Sequence, residues 1–321
     1  RCGGGRSDRV KPWRHRIEAA AVATVHAVVR VLPVGVVRLM GRLLGLMFYV
    51  LDRPHRRVAL ANLAQCFPAR SDAERRDIAR RMFQHFGVLL FELLQFGSLP
   101  PEQMRARVEV EGGERVRSAY AKGKGVLFFT GHFGFWELHA IVHALLFEPI
   151  GVLARPLDNA ELHTLLQDLR QGTGNTVIYR EGAVRKVLRM LTGGHGVAML
   201  IDQHMHSPDA IWVRFFQRPA ATTSTLAALA LRTGAVVIPV FAVPLPGGRF
   251  KLIYEHAVEP PAGETVDPVH EFTQRCTDVL EMYVRRQPEL WLWMHRRWRD
   301  APAPETPGMF PVTRERGLPD A

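Results

Sequence analysis

Gly125-Val-Leu-Phe-Phe-Thr-Gly-His-Phe-Gly-Phe-Trp-Glu-Leu-His139 is the stretch whose reading decides the fold. Val126 to Phe129 is a short apolar run with the length and composition of a buried strand. The run breaks at Thr130-Gly131-His132 and resumes from Phe135 to Phe147 with enough length and periodicity for a helix. His132 is therefore placed at the carboxyl end of a strand, in the turn that feeds a helix. In open α/β sheets that edge is where ligands bind.

His132 and Glu137 are five positions apart, which on one continuous helix puts them roughly 140° off a shared face. They meet only if His132 lies in the turn and Glu137 in the first helical turn. A carboxylate on Nδ1–H would then fix the tautomer and leave Nε2 free to take a proton. Such a pair is a general base in search of a hydroxyl. The plainer alternative is a core histidine and a glutamate on a solvated helix face.

Outward from this stretch, the pattern alternates. Strands are expected at 108–110, 150–154, 176–179, 197–201, 211–216, 236–243 and 250–254, and helices at 57–66, 114–122, 160–170, 182–191, 222–231 and 266–286. Ser71-Asp-Ala-Glu74 is a capping box that opens another helix, with apolar positions from Ile78 to Leu94. Alternation over about 120–260 gives an α/β class with a mostly parallel central sheet flanked by helices. Residues 1–16 form a basic segment, 17–51 a membrane-anchor helix region, 52–300 the main domain and 301–321 a Pro-rich loose tail. In 17–51 the longest uncharged run is Ala19 to Val29, short of the ~20 residues that span a bilayer, so an amphipathic anchor is expected. Residue 1 is Arg rather than Met, as expected of a chain lacking its own start.

The chain has 321 residues, 42 Lys and Arg against 31 Asp and Glu, and a net charge of +11, which calls for an acidic partner or an anionic surface. Three cysteines, scattered and odd in number, show no disulfide framework and fit a reducing compartment. No G-x-S-x-G elbow occurs, and the glycines around Lys124 match neither a P-loop nor a dinucleotide fingerprint.

Other candidates surround the central pair. Arg155 ends the strand after the central helix, where a guanidinium could stabilise an oxyanion or bind a donor phosphate. Asn159 is a plausible N-cap. Arg218, Thr222 and Thr223 precede or open a helix, where capping is the simple reading and anion binding the sharper one. Asp202-Gln-His204-Met-His206-Ser-Pro-Asp209 offers alternating histidines, but Pro208 and the strand end make it a loop, and no metal is expected there. Asp202 reads as a structural or supporting carboxylate. Trp291 to Arg299 mixes three tryptophans with basic residues and is open to three readings, nucleic-acid stacking, an interfacial aromatic-basic patch and ordinary packing, with the membrane reading ahead of the nucleic-acid one.

Thr130-Gly-His-Phe-Gly-Phe-Trp-Glu137 resembles the H-x-x-x-x-D/E motif of the lysophospholipid acyltransferase superfamily, and most closely its late lipid A lauroyl/myristoyl acyltransferase branch. The similarity extends over roughly 17–299, through Arg57 to Asn62, Phe67-Pro68, Arg155 to Asn159, Ala198 to Asp202, Phe215 to Thr223 and Trp293 to Trp298. It implies a membrane-associated enzyme on the cytoplasmic face of the inner membrane, without a cofactor. His132 would be the base and Glu137 its orienting carboxylate, with Arg155 and Asp202 near the site. The donor implied is acyl-acyl carrier protein, or acyl-CoA. The acceptor implied is a lipid A precursor or another glycolipid; a lysophospholipid, an ornithine lipid or a phosphatidylinositol mannoside are the alternatives. A metal-dependent phosphoesterase using His132, Asp202, His204 and His206, and a non-catalytic membrane or nucleic-acid binder, are the rival classes.

Overall fold

The computed structural model describes residues 12–179, 182–206, 210–263 and 265–301, so the expected tail beyond Ala301 and most of the basic amino-terminal segment lie outside the described residues. Four helices come first: α1 (Pro12–Val29), α2 (Val34–Leu51), α3 (Arg53–Cys66) and α4 (Asp72–Phe96). Pro33 separates α1 from α2, so the expected anchor region is two helices, not one. Asp52 caps α3 by accepting from the His55 N–H, with Pro54 in the first turn, where its missing N–H costs nothing. The Ser71–Glu74 capping box is formed in both directions at the start of α4.

There follow α5 (Pro101–Ala106), β1 (Val108–Glu111), α6 (Gly113–Tyr120), β2 (Val126–Thr130), α7 (Trp136–Leu146), β3 (Gly151–Leu153), α8 (Ala160–Gln171) and β4 (Thr176–Ile178). The chain continues through α9 (Ala183–Thr192), β5 (Gly196–Leu200), β6 (Ala210–Phe215), β7 (Arg218–Thr223), α10 (Thr225–Thr233), β8 (Val236–Leu245), β9 (Arg249–Tyr254) and α11 (Pro268–Arg286). Seven strands make one sheet in the order β1-β9-β8-β2-β5-β3-β4, parallel throughout except for the β8–β9 hairpin.

β2 lies inside this sheet and is buried at all five positions, as a central strand covered on both faces must be. Its side chains alternate: Leu127 and Phe129 enter one core with α3, α9, α10 and α11 residues, while Val126 and Phe128 enter the other with α6 and α7 residues. Truncating Phe129, which is wholly buried, to Ala would cost about 3–5 kcal/mol.

One element departs from expectation. Residues 218–223, read as a turn and a helix start, form β7, paired with β6 in a separate two-stranded hairpin. Phe216 and Gln217 make its two-residue turn, with φ of 54° and 58°. Such turns normally announce themselves with Gly or Asn, and this one has neither.

α2 packs lengthwise on α4 through glycines. A Cβ on Gly45 would stand 2.1 Å from the Phe83 carbonyl oxygen, and one on Gly87 2.2 Å from that of Gly41. The backbones touch there, and no side chain fits between them. On the opposite side of α2, Leu39, Leu43, Met47, Val50 and Leu51 are exposed, from 46% for Met47 to 69% for Leu51. Val34–Leu51 is long and apolar enough to cross a membrane, by length and composition.

Candidate active site

β2 and β5 are parallel neighbours with Thr130 paired to Leu200. His132 and Asp202 each lie two residues past that pair, so the register alone brings them together at the carboxyl edge of the sheet. His132 Nδ1 is 2.8 Å from Asp202 Oδ1, and the His132 backbone N–H donates to Asp202 Oδ2 at 2.6 Å. Trp291 Nε1–H donates to the same Oδ2 at 2.8 Å. An ionised carboxylate only accepts, so Nδ1 carries the proton and the Nε2 lone pair faces outward. There it meets the Gln203 side-chain amide at 3.3 Å.

The turn carrying His132 is clamped on three sides. Phe135 N–H donates to Ala242 of β8, Gly134 N–H to Leu290, and Leu292 N–H to the His132 carbonyl. His85 of α4 bonds the Gly134 carbonyl at 3.1 Å. Two glycines make the clamp possible. A Cβ on Gly131 would lie 2.8 Å from Asp202 Oδ2, and Gly134, at φ +59°, would place one 2.0 Å from the Ala242 carbonyl oxygen. Trp136 stands edge-on to the imidazole at 5.1 Å between centroids.

Burial pulls the His132 pKa down, but the Asp202 charge and hydrogen bond, aided by the Glu137 charge, more than reverse this and leave it raised. Asp202 is opposed by its own burial yet held down to about 2 by His132 and by the donors from His132 and Trp291. The pair thus behaves as a base that is strengthened without being exposed: the His132 side chain is 15% accessible and that of Asp202 3%.

Glu137 is not the carboxylate on Nδ1. It lies in the first turn of α7, as expected, but Arg170 of α8 holds it with two hydrogen bonds, Nε to Oε2 at 2.8 Å and Nη2 to Oε1 at 2.6 Å. Trp136 Nε1 also donates to it, at 3.2 Å. The reason is geometric: the H-x-x-x-x-E spacing carries Glu137 past the imidazole to its flank, while the strand register delivers Asp202 straight to Nδ1.

The remaining candidates fall into different places. Arg155 is exposed in the loop after β3. Asn159 is the N-cap of α8, accepting from the Glu161 and Leu162 N–H groups, and its amide also reaches Glu18 of α1. Arg218 lies over the Trp298 ring at 5.4 Å. Thr222 sits within β7, buried, and accepts from Arg297; Thr223 bonds the Thr225 N–H and hydroxyl at the start of α10. Trp291, Trp293, Trp298 and Arg297 are buried, so of the three readings of this segment the structure bears out ordinary packing and not the interfacial patch. Its rings pack on Phe215 and Phe216 at the β6–β7 turn, and Trp291 also donates to Asp202. His204 and His206 turn toward each other, apart from the His132–Asp202 pair, so the four-residue metal set expected of a phosphoesterase is not assembled. Among the described cysteines, Cys66 and Cys276 are buried, and burial pushes both thiols up, Cys276 to about 12.

With this geometry the chain matches the model of the bacterial lipid A biosynthesis acyltransferases over residues 9–300. It belongs to that family. The lipid A biosynthesis lauroyltransferase of Escherichia coli (strain K12) is 27% identical over 273 residues, 84% of this chain and 88% of the relative. The myristoyltransferase of the same organism is 25% identical, covering 76% of this chain and 75% of its own, and the palmitoleoyltransferase 26%, covering 86% and 89%. As a member of the lipid A acyltransferase family, this protein is an O-acyltransferase.

Proposed function

We propose that the protein moves a fatty acyl group from a thioester donor, acyl-acyl carrier protein or acyl-CoA, to a hydroxyl of a lipid A precursor or related glycolipid. The observation that carries this reading is the Asp202-held imidazole, with Nε2 turned toward the Gln203 amide at the sheet edge. Nε2 takes the hydroxyl proton as the acceptor oxygen attacks the thioester carbon. The new C–O bond forms, the C–S bond breaks, and the imidazolium returns its proton to the departing thiolate. Asp202 stabilises the charge that His132 gains on the way. Gln203 must swing aside to admit the hydroxyl. The inert state of the buried thiols Cys66 and Cys276 supports direct transfer, with no acyl-enzyme intermediate.

Glu137 acts beside the base as a second negative charge, fixed by Arg170. Arg155, Arg218, Thr222, Thr223 and Asn159 are the candidates for shaping or binding around the substrates, Arg155 the most accessible of those cations. A cationic chain suits acyl carrier protein, an acidic partner.

The exposed stripe on α2 is the proposed membrane contact, at the cytoplasmic face of the inner membrane. Because the other side of α2 is backbone-to-backbone with α4, the helix is expected to lie with this stripe in the interface. Arg53, Arg56 and Arg57 follow at its end, where anionic headgroups would meet them.

The test is direct. Purified protein given lauroyl- or myristoyl-acyl carrier protein and a lipid A precursor should produce an acceptor heavier by one acyl group in mass spectrometry, and His132→Ala should not. Turnover that survives intact in His132→Ala would end the proposal.

A further inference from the structure

The loop that leaves β5 carries more than Asp202. His204 is nearly enclosed, with its side chain 5% exposed, and its Nδ1 is buried without a hydrogen-bond partner. The His206 ring stands against it, centroids 4.4 Å apart. From the far end of the described chain, Asp300 brings Oδ2 to 3.9 Å from His204 Nε2. Asp300 is itself held at φ +56°, a conformation uncommon for residues other than glycine. One ligand atom from each of the three lies within 4.8 Å of the others.

We infer that His204, His206 and Asp300 form a site for one divalent transition-metal cation of the zinc class. Two imidazoles and a carboxylate are a donor set that such ions take, with solvent completing the shell. Closing onto metal–ligand distances of roughly 2.0–2.2 Å asks each donor to move inward by roughly 0.7 Å. His206 and Asp300 are exposed and have room to do so. The surroundings also select the ion. Arg299 Nε is 3.7 Å from Asp300 Oδ2, and the buried Arg297 guanidinium lies nearby, bonded to the Ala221 carbonyl and the Thr222 hydroxyl. Two cations at the site disfavour Mg²⁺ or Ca²⁺, which bind through charge and oxygen donors. Ions that gain covalency from imidazole nitrogen tolerate them better.

The site is separate from the acyl-transfer chemistry, because His132 and Asp202 are committed to each other. Its effect is that of a clip. It ties the loop at 202–206 to the segment at 291–300, which already supplies Trp291 to Asp202 and Arg297 to the Gln203 carbonyl. With both ends held, the backbone that carries Gln203 is fixed beside His132, while the Gln203 side chain keeps its freedom to turn away from Nε2.

Equilibrium dialysis of the chelator-stripped full chain against Zn²⁺ alone should find about one tightly held equivalent, and Co²⁺ should give visible d–d absorption that Zn²⁺ displaces. His206→Ala and Asp300→Ala should each weaken binding by at least about tenfold. Zn²⁺ should raise the melting temperature of the native chain and leave that of the double variant unmoved. Melting without metal verifies that the variants are folded. Failure of the native chain to retain Zn²⁺, or equal retention by the double variant, would overturn the inference.

Discussion

Two sets of histidines lie within a dozen residues of each other and behave in opposite ways. His132, in the turn after β2, is pushed toward its protonated form, whereas His139 and His143, inside α7, are held neutral. All three are largely enclosed. His139 has a ring nitrogen with no partner, and burial takes its pKa down to about 3. His143 bonds two phenols, Tyr254 at 2.9 Å and Tyr120 at 3.0 Å, and burial, then the His139 charge, take it well below the ordinary value. Burial by itself makes a histidine a filler of space. One aligned carboxylate turns it into a base.

The largest effect is therefore expected at His132 itself. His132→Ala should lower kcat by at least about a thousandfold, the upper part of the range for losing a general base. Removing the imidazole also takes from the buried Asp202 carboxylate the partner that holds its pKa down to about 2, so the melting temperature should fall as well, and kcat is to be read on protein verified as folded. Replacing His143 with Phe should leave turnover at neutral pH almost unaffected. Comparable losses at both positions would erase the distinction drawn here.

Asp202→Asn comes next, with an expected loss of about a hundredfold or more in kcat, because the amide can favour the wrong tautomer. It also predicts a shift that the loss alone does not. The working form of His132 is neutral, so activity rises with pH through its pKa, and in the native enzyme that rise should be centred above 6.5. Removing the Asp202 charge withdraws the main raising influence, so the rise should move to lower pH. A pH profile of kcat/KM for Asp202→Asn that rises at the native pH would sink this assignment.

Much of this was legible in the chain. The apolar run at 126–129, the break at His132 and the capping box at Ser71 fixed strand, turn and helix where they occur. Asp202 could be placed at the end of its own strand. Its pairing with His132 depended on β2 and β5 being neighbours in register, which no local pattern reveals. The β6–β7 turn was hidden because Phe216 and Gln217 adopt a backbone that their side chains do not advertise. The tryptophans at 291–298 stay open between membrane and packing readings because composition does not distinguish a buried aromatic from one facing lipid.

Acid should expose the contrast in stability as well. A histidine whose folded pKa lies below its unfolded value makes the native state bind fewer protons, so stability is lost as pH falls below about 6.5 and toward the depressed pKa. His139, near 3 when folded, should contribute up to about 1.4 kcal/mol of loss per pH unit across that window. His139→Phe removes the term, so its denaturation midpoint should fall less steeply than native between pH 6.5 and 5. Parallel pH dependences for the two proteins would show that His139 is not the group that must charge.

The smallest effect separates the two carboxylates around His132. Glu137 raises the imidazole pKa only by its charge, after Asp202, and its oxygens are occupied by Arg170 and Trp136. Glu137→Gln should then cost about tenfold in kcat and lower the pH of the activity rise by less than Asp202→Asn does. Arg170→Gln, which frees Glu137 and removes a cation that opposes His132 protonation, should move the rise the other way, to higher pH. Opposite shifts from two partners of one salt bridge cannot come from a general loosening of α7 against α8, which would move both variants alike. Were Glu137→Gln to exceed Asp202→Asn in both rate loss and pH shift, Glu137 would be the orienting group in the working enzyme, and the Nδ1 contact would have to change hands on substrate binding.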